Sequence, residues 1–313
     1  MRILCLGAGA LGGYFGGRLV ESGADVEFLV REARKARITT DGLRIESKYG
    51  NCHLNVKAVT ANEAKGQYDI VLLTCKAYDL PGAIATIAPF VGSNTAVLPL
   101  LNGVAHMEVL NEKFGRERVL GGVAKISATL ASDGTIKHLN DWRYITMGEQ
   151  NGEMSDRVLS LKAAFDKTSV LATAVPNIMQ MMWEKVVHLS TVAGMTCAMR
   201  ASVGDIARTQ DGTAMMIQLL ERNAEIAGRE GHAPSEAFLA EYRQLFHDTS
   251  SLYMASMLRD IERGGSIEAD HILGFMLNKA KHHGVDFVLH QFIFVHVQAY
   301  EQRRAALQAK AVA

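Results

Sequence analysis

The first half of the chain alternates short apolar runs with stretches of helical spacing. Runs such as Ile70–Leu73 are apolar on both faces, which is typical of strands in a parallel sheet that helices cover on both sides. The regular alternation of strand and helix predicts a doubly wound α/β domain. A helix is predicted over Leu11–Ser22, and strands are predicted over Ile3–Leu6, Asp25–Val30, Leu43–Ser47, Leu54–Val59, Ile70–Cys75, Thr95–Leu98, Val119–Ser127 and Tyr144–Met147.

The pattern changes after Pro176. From there onward almost no period-two alternation remains, and long stretches of helical spacing are separated by glycines. The sequence therefore predicts an all-helical second domain, with the first domain over residues 1–174 and the second over residues 175–313. Breaks between helices are expected at Gly194, Gly204, the segment Gly228–Gly231, the pair Gly264-Gly265, and Gly284.

Composition and charge exclude several classes of protein. The 33 basic residues balance 33 acidic ones, so the chain has no overall field that would attract nucleic acid or an anionic membrane. It has neither a signal-peptide pattern nor an apolar run of about 18 residues, so we expect a cytoplasmic protein. The 4 cysteines are scattered without zinc-like spacing and are expected to be reduced and buried; no metal site is expected.

A glycine-rich turn follows the first predicted strand. The segment Gly7-Ala8-Gly9-Ala10-Leu11-Gly12 leaves that strand, opens a helix and precedes a second strand at the spacing of a dinucleotide-binding unit. Gly7 would make the turn, Gly9 would let the backbone approach a pyrophosphate, and Gly12 would allow close packing of helix on strand. The alternative is a glycine-rich turn without a ligand. We therefore predict a Rossmann-like N-terminal domain that binds a dinucleotide at this turn.

The end of the second strand indicates which dinucleotide is bound. Proteins that use NAD commonly carry a carboxylate there, for the ribose hydroxyls, but this chain carries Arg31. A guanidinium suits a 2′-phosphate that a carboxylate would repel. The sequence thus predicts NADPH or NADP as cofactor, unless Arg31 is an ordinary surface arginine.

Further candidates depend on position alone. Lys76 and Asn102 each follow a predicted parallel strand, at the edge where ligands of such sheets bind, but each also suits an ordinary strand end or turn. Lys185 lies in an apolar helical context that would lower the pKa of a general acid, yet a lysine extending from an amphipathic helix fits the same pattern. Glu268 lies where a carboxylate at a helix start is expected, with Ser266 as a candidate N-cap, so a capping role competes with a catalytic one.

Six segments match one known family in their order and approximate spacing. They are Gly7–Gly12 with Arg31, Thr74–Ala77, Leu101–Val104, Trp183–Lys185, Ser256–Ile261 and Glu268–Phe275. By these segments the chain resembles the ketopantoate reductase (2-dehydropantoate 2-reductase) family over nearly its whole length.

The resemblance implies roles for single residues. Lys185 matches the family's catalytic lysine, which donates a proton to the substrate carbonyl oxygen as hydride arrives from NADPH. Glu268 matches the acidic residue that orders substrate and cofactor, and Ser256 matches a serine that contacts the substrate. Asn102 and Lys76 match residues near the nicotinamide, and Asn102 is also expected to contact the substrate.

The chain departs from the family's pattern beside Lys185. The family commonly carries asparagines four and eight residues after this lysine, where they contact the substrate, and this chain has Leu189 and Ala193. Each lost hydrogen bond costs about 1 kcal/mol, and more where the partner is charged. His188 and Thr191 are the nearest polar residues.

The resulting expectation is NADPH-dependent reduction of a 2-oxo acid to a 2-hydroxy acid. The resemblance implies ketopantoate and pantoate, a step of pantothenate biosynthesis, or a related pair. The alternatives are an NADP-dependent dehydrogenase of another hydroxy-acid or opine type and a non-catalytic NADP sensor. Helical second domains of such folds often pair with themselves, so a homodimer is also considered.

Overall fold

A computed structural model of the chain describes residues 1–312, and the side chains of residues 1–310. The described residues form two compact units: the first comprises Met1–Asn102 and His106–Met179, and the second comprises Gly103–Ala105 and the chain from Gln180 onward. The division of functions between residues 1–174 and 175–313 stays a prediction.

In chain order the first part forms β1 (Arg2–Leu6), α1 (Ala10–Glu21), β2 (Asp25–Leu29), α2 (Glu32–Asp41), β3 (Leu43–Glu46), β4 (Cys52–Leu54), β5 (Lys57–Val59), β6 (Ile70–Leu73), α3 (Leu80–Ile87), β7 (Ala96–Pro99), α4 (Ala105–Phe114), β8 (Leu120–Leu130), β9 (Ile136–Glu149), α5 (Asp156–Phe165) and β10 (Leu171–Ala174).

One sheet of the first unit is fully parallel. Its five strands lie in the order β5-β2-β1-β6-β7, with β1 at the centre. Every residue of β6 and β7 is buried, which explains the continuous apolar runs in the sequence. This sheet confirms the predicted Rossmann-like domain.

A second sheet, in the order β10-β9-β3-β4 with β8 antiparallel to β9, corrects part of the strand prediction. The strands predicted over Leu43–Ser47, Val119–Ser127 and Tyr144–Met147 belong to this mixed sheet and not to the doubly wound one. The strand predicted over Leu54–Val59 is in fact two, β4 and β5, one in each sheet. Strand β10 was not predicted. Apolar alternation marks a strand but does not name its partner, because the same half-buried pattern suits either sheet.

Helix α1 packs between the two sheets. A Cβ on Gly16 would lie 2.8 Å from Phe28 of β2, and a Cβ on Gly17 would lie 2.8 Å from Ile45 of β3. Glycine on these two helical positions therefore brings the α1 backbone into direct contact with both sheets.

The second part of the chain is helical, as predicted. Gly194 and Gly204 lie inside helices and do not separate them. Helix α8 does end within the predicted break Gly228–Gly231, at Arg229, and Gly264, Gly265 and Gly284 lie between helical segments. Glycine inside a helix weakens it by about 1 kcal/mol relative to alanine, a cost that packing offsets, so it is a poor marker of a helix end. The helices are α6 (Ile178–Met199), α7 (Val203–Ala207), α8 (Gly212–Arg229), α9 (Glu236–His247), α10 (Ser256–Glu262), α11 (Phe275–His283) and α12 (Val288–Val312), with a π-helical turn over Asp270–Gly274.

A buried polar chain joins three of these helices. His290 of α12 donates from Nε2 to Oδ1 of Asn223 on α8, over 3.0 Å, and Asn223 donates to the Thr191 hydroxyl on α6, over 2.9 Å. His290 is 5% exposed, and burial lowers its pKa to about 4. The helical core thus holds a neutral histidine. None of the described helices is long and apolar enough to cross a membrane.

Candidate active site

The turn from β1 into α1 is closely packed around two of its three motif glycines. Gly7 has a φ of +94°, which favours glycine, and its amide donates to the Leu29 carbonyl of β2 over 2.9 Å. A Cβ on Gly12 would lie 2.2 Å from the Gly7 carbonyl oxygen and 2.4 Å from Oγ1 of Thr74. A Cβ on Gly9, by contrast, would meet no atom of the described chain within 4 Å. The turn is therefore packed tightly on its inner side and open at Gly9.

Side chains outside the motif hold the turn in place, two of them from distant parts of the chain. Arg34 of α2 donates from Nε and Nη2 to the Ala8 carbonyl, over 3.1 and 2.8 Å. The Thr74 hydroxyl, after β6, donates to the Leu6 carbonyl over 2.8 Å. Sequence reasoning did not assign these supporting roles, because each joins residues far apart in the chain.

Arg31 lies where the sequence analysis expected a 2′-phosphate ligand. It is the residue before α2, its side chain is 91% exposed, and its Nη2 lies 4.0 Å from a carboxylate oxygen of Asp79. Of the neighbouring cations, Lys35 pairs with Glu63 and Arg34 is bonded to the glycine turn. Arg31 is thus the arginine at this strand end that extends into solvent.

The carboxyl ends of three adjacent strands meet at this edge of the parallel sheet. The glycine turn follows β1, Lys76 follows β6, and Asn102 follows β7, in the spatial order β1-β6-β7. Both side chains are at least partly accessible to solvent. The structure therefore places the predicted cofactor residues of the first unit at one edge, where ligands of such sheets bind.

In the second unit, Lys185 lies near the middle of α6. It is half-buried, as is Leu189 one turn later, whereas Ala193 is only 3% exposed. His188 also lies one turn from Lys185. Its Nε2 and the Tyr253 hydroxyl are joined by a hydrogen bond of 2.9 Å. Burial raises the pKa of Tyr253 to about 12, so this hydroxyl keeps its proton at neutral pH.

Glu268 and Ser256 lie in different segments of the same unit. Ser256 is exposed and begins α10; Glu268 is half-buried and precedes the helical turn that starts at Ala269. Ser266 therefore does not cap this helix, which corrects the sequence analysis. Three residues after Glu268, His271 contacts Gly103, where an added Cβ would lie 3.1 Å from the imidazole. Burial lowers the pKa of His271, and the Glu268 carboxylate opposes that shift.

One of the four cysteines contacts the glycine turn: Sγ of Cys5 donates to the carbonyl oxygens of Gly7 and Gly12, over 3.4 Å each. Cys5 and Cys197 are buried, as predicted, and burial raises the pKa of each thiol to about 12; Cys52 and Cys75 are half-buried. Within residues 1–312, no group of three histidine, cysteine or carboxylate side chains is arranged to hold a metal ion.

Comparison with known proteins gives a consistent result over the whole chain. Residues 3–152 match the family model "Ketopantoate reductase PanE/ApbA", and residues 177–301 match the model of its C-terminal part. The chain is 34% identical over 305 residues to an uncharacterized oxidoreductase, YkpB, of Bacillus subtilis (strain 168), covering 97% of this chain and 100% of that relative. It is 28% identical over 300 residues to a 2-dehydropantoate 2-reductase of Archaeoglobus fulgidus, covering 96% and 98%.

Solved structures agree. A 2-dehydropantoate 2-reductase from Methylococcus capsulatus superposes with a TM-score of 0.87 at 24% identity, covering 97% of this chain and 98% of that one. A ketopantoate reductase described as putative, from Ralstonia solanacearum MolK2, superposes with a TM-score of 0.85 at 27% identity, over the same shares. The matches to both family models, together with these relatives, show that the chain belongs to the ketopantoate reductase PanE/ApbA family and is an oxidoreductase that acts on CH–OH groups.

Proposed function

We propose that the protein uses NADPH to reduce a 2-oxo acid to a 2-hydroxy acid, ketopantoate to pantoate or a closely related pair. The 2-oxo acid is proposed by analogy with the family's 2-dehydropantoate 2-reductases, and the observation that carries the cofactor part of the proposal is the asymmetry of the glycine turn. Gly12 is packed against the Gly7 carbonyl, whereas Gly9 faces space that no described atom occupies. A backbone that is fixed on one side and bare on the other, at a helix N-terminus, suits a pyrophosphate.

The residues of the first unit fit the rest of such a cofactor. The amides of residues 8–12 would hold the pyrophosphate, and Arg31 would bind the 2′-phosphate as a permanent cation. Lys76 and Asn102, which follow the neighbouring strands β6 and β7, would hold the nicotinamide end. The NADPH assignment depends on Arg31, which has the exposure that a phosphate ligand needs.

Lys185 and Glu268 are proposed to carry the reaction at the substrate. When bound, the reduced nicotinamide supplies a hydride to the carbonyl carbon of the 2-oxo acid. The Lys185 ammonium stabilises the developing alkoxide and transfers a proton to its oxygen, which completes the 2-hydroxy acid. Neutral Lys185 then takes a proton from solvent. Glu268 and Ser256 are proposed to orient the substrate.

A panel of 2-oxo acids that includes ketopantoate tests this function. With NADPH in excess, we expect loss of the absorbance of the reduced nicotinamide and formation of the 2-hydroxy acid, which chromatography against standards would identify. NADPH should also raise the melting temperature of the protein. Cofactor binding without turnover of any 2-oxo acid would refute the proposal. The homodimer stays a prediction, which light scattering would test.

A further inference from the structure

The α6 surface beside Lys185 is almost wholly apolar. Side chains three and four residues apart on a helix are neighbours, with Cβ atoms about 5–6 Å apart. For Lys185 these neighbours are Met181 and Met182 on one side, His188 and Leu189 on the other. None of the four carries a carboxylate or an amide, and Leu189 is half-buried, so part of its side chain is accessible.

The one polar neighbour, His188, is held in a stack of aromatic rings. Its imidazole lies 4.3 Å from the ring of Tyr242, at an interplanar angle of 21°, and 5.7 Å from the ring of Tyr253, at 24°. Phe238 packs against Tyr242 with a tilted ring, at a centroid distance of 4.7 Å and an interplanar angle of 57°. The hydroxyl of Tyr253 also bonds Nε2 of His188 over 2.9 Å. The imidazole is thereby fixed between two rings.

We infer that the side chain of the natural 2-oxo acid is apolar, without the hydroxyl group of ketopantoate. The inference rests on the proposed role of Lys185. A substrate whose carbonyl oxygen bonds Nζ of Lys185 brings its next carbon atoms to the α6 surface one turn away, where the half-buried Leu189 and Met181 lie. Met182 is 2% exposed and belongs to the core beneath this surface. Transfer of apolar carbons from water to this surface lowers the free energy of binding, whereas a hydroxyl group placed there loses its hydrogen bonds to water.

The size of the discrimination follows from this environment. A site built to bond a hydroxyl rejects the analogue without it by four to five powers of ten, whereas an apolar pocket rejects an added hydroxyl by only about a hundredfold. The inference thus predicts a moderate preference for the acid without the hydroxyl. It also predicts that a single amide at position 189 would move that preference.

The test compares two acids that differ by one oxygen atom: ketopantoate, which is 4-hydroxy-3,3-dimethyl-2-oxobutanoate, and 3,3-dimethyl-2-oxobutanoate. For the wild-type protein with NADPH, we expect kcat/KM to be about 10- to 100-fold higher for the acid without the hydroxyl. Leu189→Asn should shift this ratio about tenfold towards ketopantoate, the effect of one new hydrogen bond. Leu189→Gln is a second variant that introduces an amide at this position, and glutamine has a higher helix propensity than asparagine. Leu289→Asn, at another half-buried leucine of a helix in the same unit, is the matched control and should leave the ratio unchanged.

Binding of the two products gives a second readout. In the presence of NADP, calorimetry should show tighter binding of 2-hydroxy-3,3-dimethylbutanoate than of pantoate, and Leu189→Asn should narrow the difference. A wild-type preference for ketopantoate, or equal shifts in Leu189→Asn and Leu289→Asn, would overturn the inference. If neither acid is reduced although NADPH binds, the proposed reaction fails, and the product-binding ratio still decides whether the pocket is apolar.

Discussion

Alanine substitutions at Gly12 and Gly9 should distinguish the contribution of the glycine turn to stability from its contribution to cofactor binding. In Gly12→Ala, the new Cβ would lie 2.2 Å from the Gly7 carbonyl oxygen, so α1 must retreat by about 1 Å to reach an ordinary contact of at least 3.4 Å. Overpacking costs about 1–3 kcal/mol. Because the obstacle is backbone, which cannot rotate away, we expect about 3 kcal/mol, a loss of roughly 6–12 °C in melting temperature for a unit of this size.

Gly9→Ala is the matched variant. Gly9 has a φ of −82°, which alanine adopts without strain, and its new Cβ meets no described atom within 4 Å. The variant should therefore be as stable as the wild type, or about 0.4–1 kcal/mol more stable. Its methyl group would occupy the space in which we place the pyrophosphate, so NADPH affinity should fall at least about tenfold, the equivalent of 1.4 kcal/mol.

The assay combines calorimetric unfolding of each apo protein with titration of NADPH followed by nucleotide fluorescence. Gly12→Ala should lose both stability and affinity, and Gly9→Ala should lose affinity alone. Unchanged NADPH binding in Gly9→Ala would refute the placement of the pyrophosphate. An unchanged melting temperature in Gly12→Ala would show that α1 moves without cost and that the close contact is not required.

Three further predictions concern charges and protons. Arg31→Ala should weaken NADPH binding about 10- to 100-fold and leave NADH binding unchanged, while Lys35→Ala changes neither; equal losses for both nucleotides would remove Arg31 from the 2′-phosphate. Lys185→Ala should lower kcat by about 10²–10⁴-fold without changing NADPH affinity. Lys185→Arg should restore little of the lost activity, because a guanidinium does not release its proton. A small decrease in kcat in Lys185→Ala would contradict the role of Lys185 as general acid. The folded-state pKa of His290, about 4 against 6.5 unfolded, means that the unfolded chain binds more protons between these values, so stability should fall by about 3 kcal/mol as pH drops from 6.5 to 4. His290→Gln, which can still donate to Asn223, should flatten that slope in urea unfolding at several pH values, and an unchanged slope would assign the pH dependence to other groups.

Much of the first unit could be predicted because its signals are local. The turn at Gly7, the helix after it and the buried strands β6 and β7 are each encoded within about ten residues of sequence. The mixed sheet was missed for the opposite reason. Strand β9 pairs with β8, β3 and β10, and nothing in its own sequence distinguishes these partners from those of the parallel sheet.

The candidate site shows the same division. Arg31 and Lys185 could be named from motif position, but the contacts that define their surroundings join distant residues. His188 and Tyr253 are 65 positions apart, and Arg34 bonds a carbonyl 26 positions away. Only folding brings such pairs together. The apolar surface beside Lys185 is an intermediate case. Its residues can be identified from helical spacing alone, whereas the aromatic rings that fix His188 can be identified only from the tertiary structure.

The close packing of helix α1 bears on how the glycine turn would bind a nucleotide. Both of its sides contact a sheet through glycines, and the glycine turn that leads into it is held by Arg34 and Thr74. A segment covered in this way opens only when most of the unit unfolds, so its amide hydrogens should be among the slowest of the protein to exchange with solvent. The loop that would receive the nucleotide is thus already ordered before the nucleotide arrives. The entropy of arranging those amides is lost during folding, and binding does not have to supply it again.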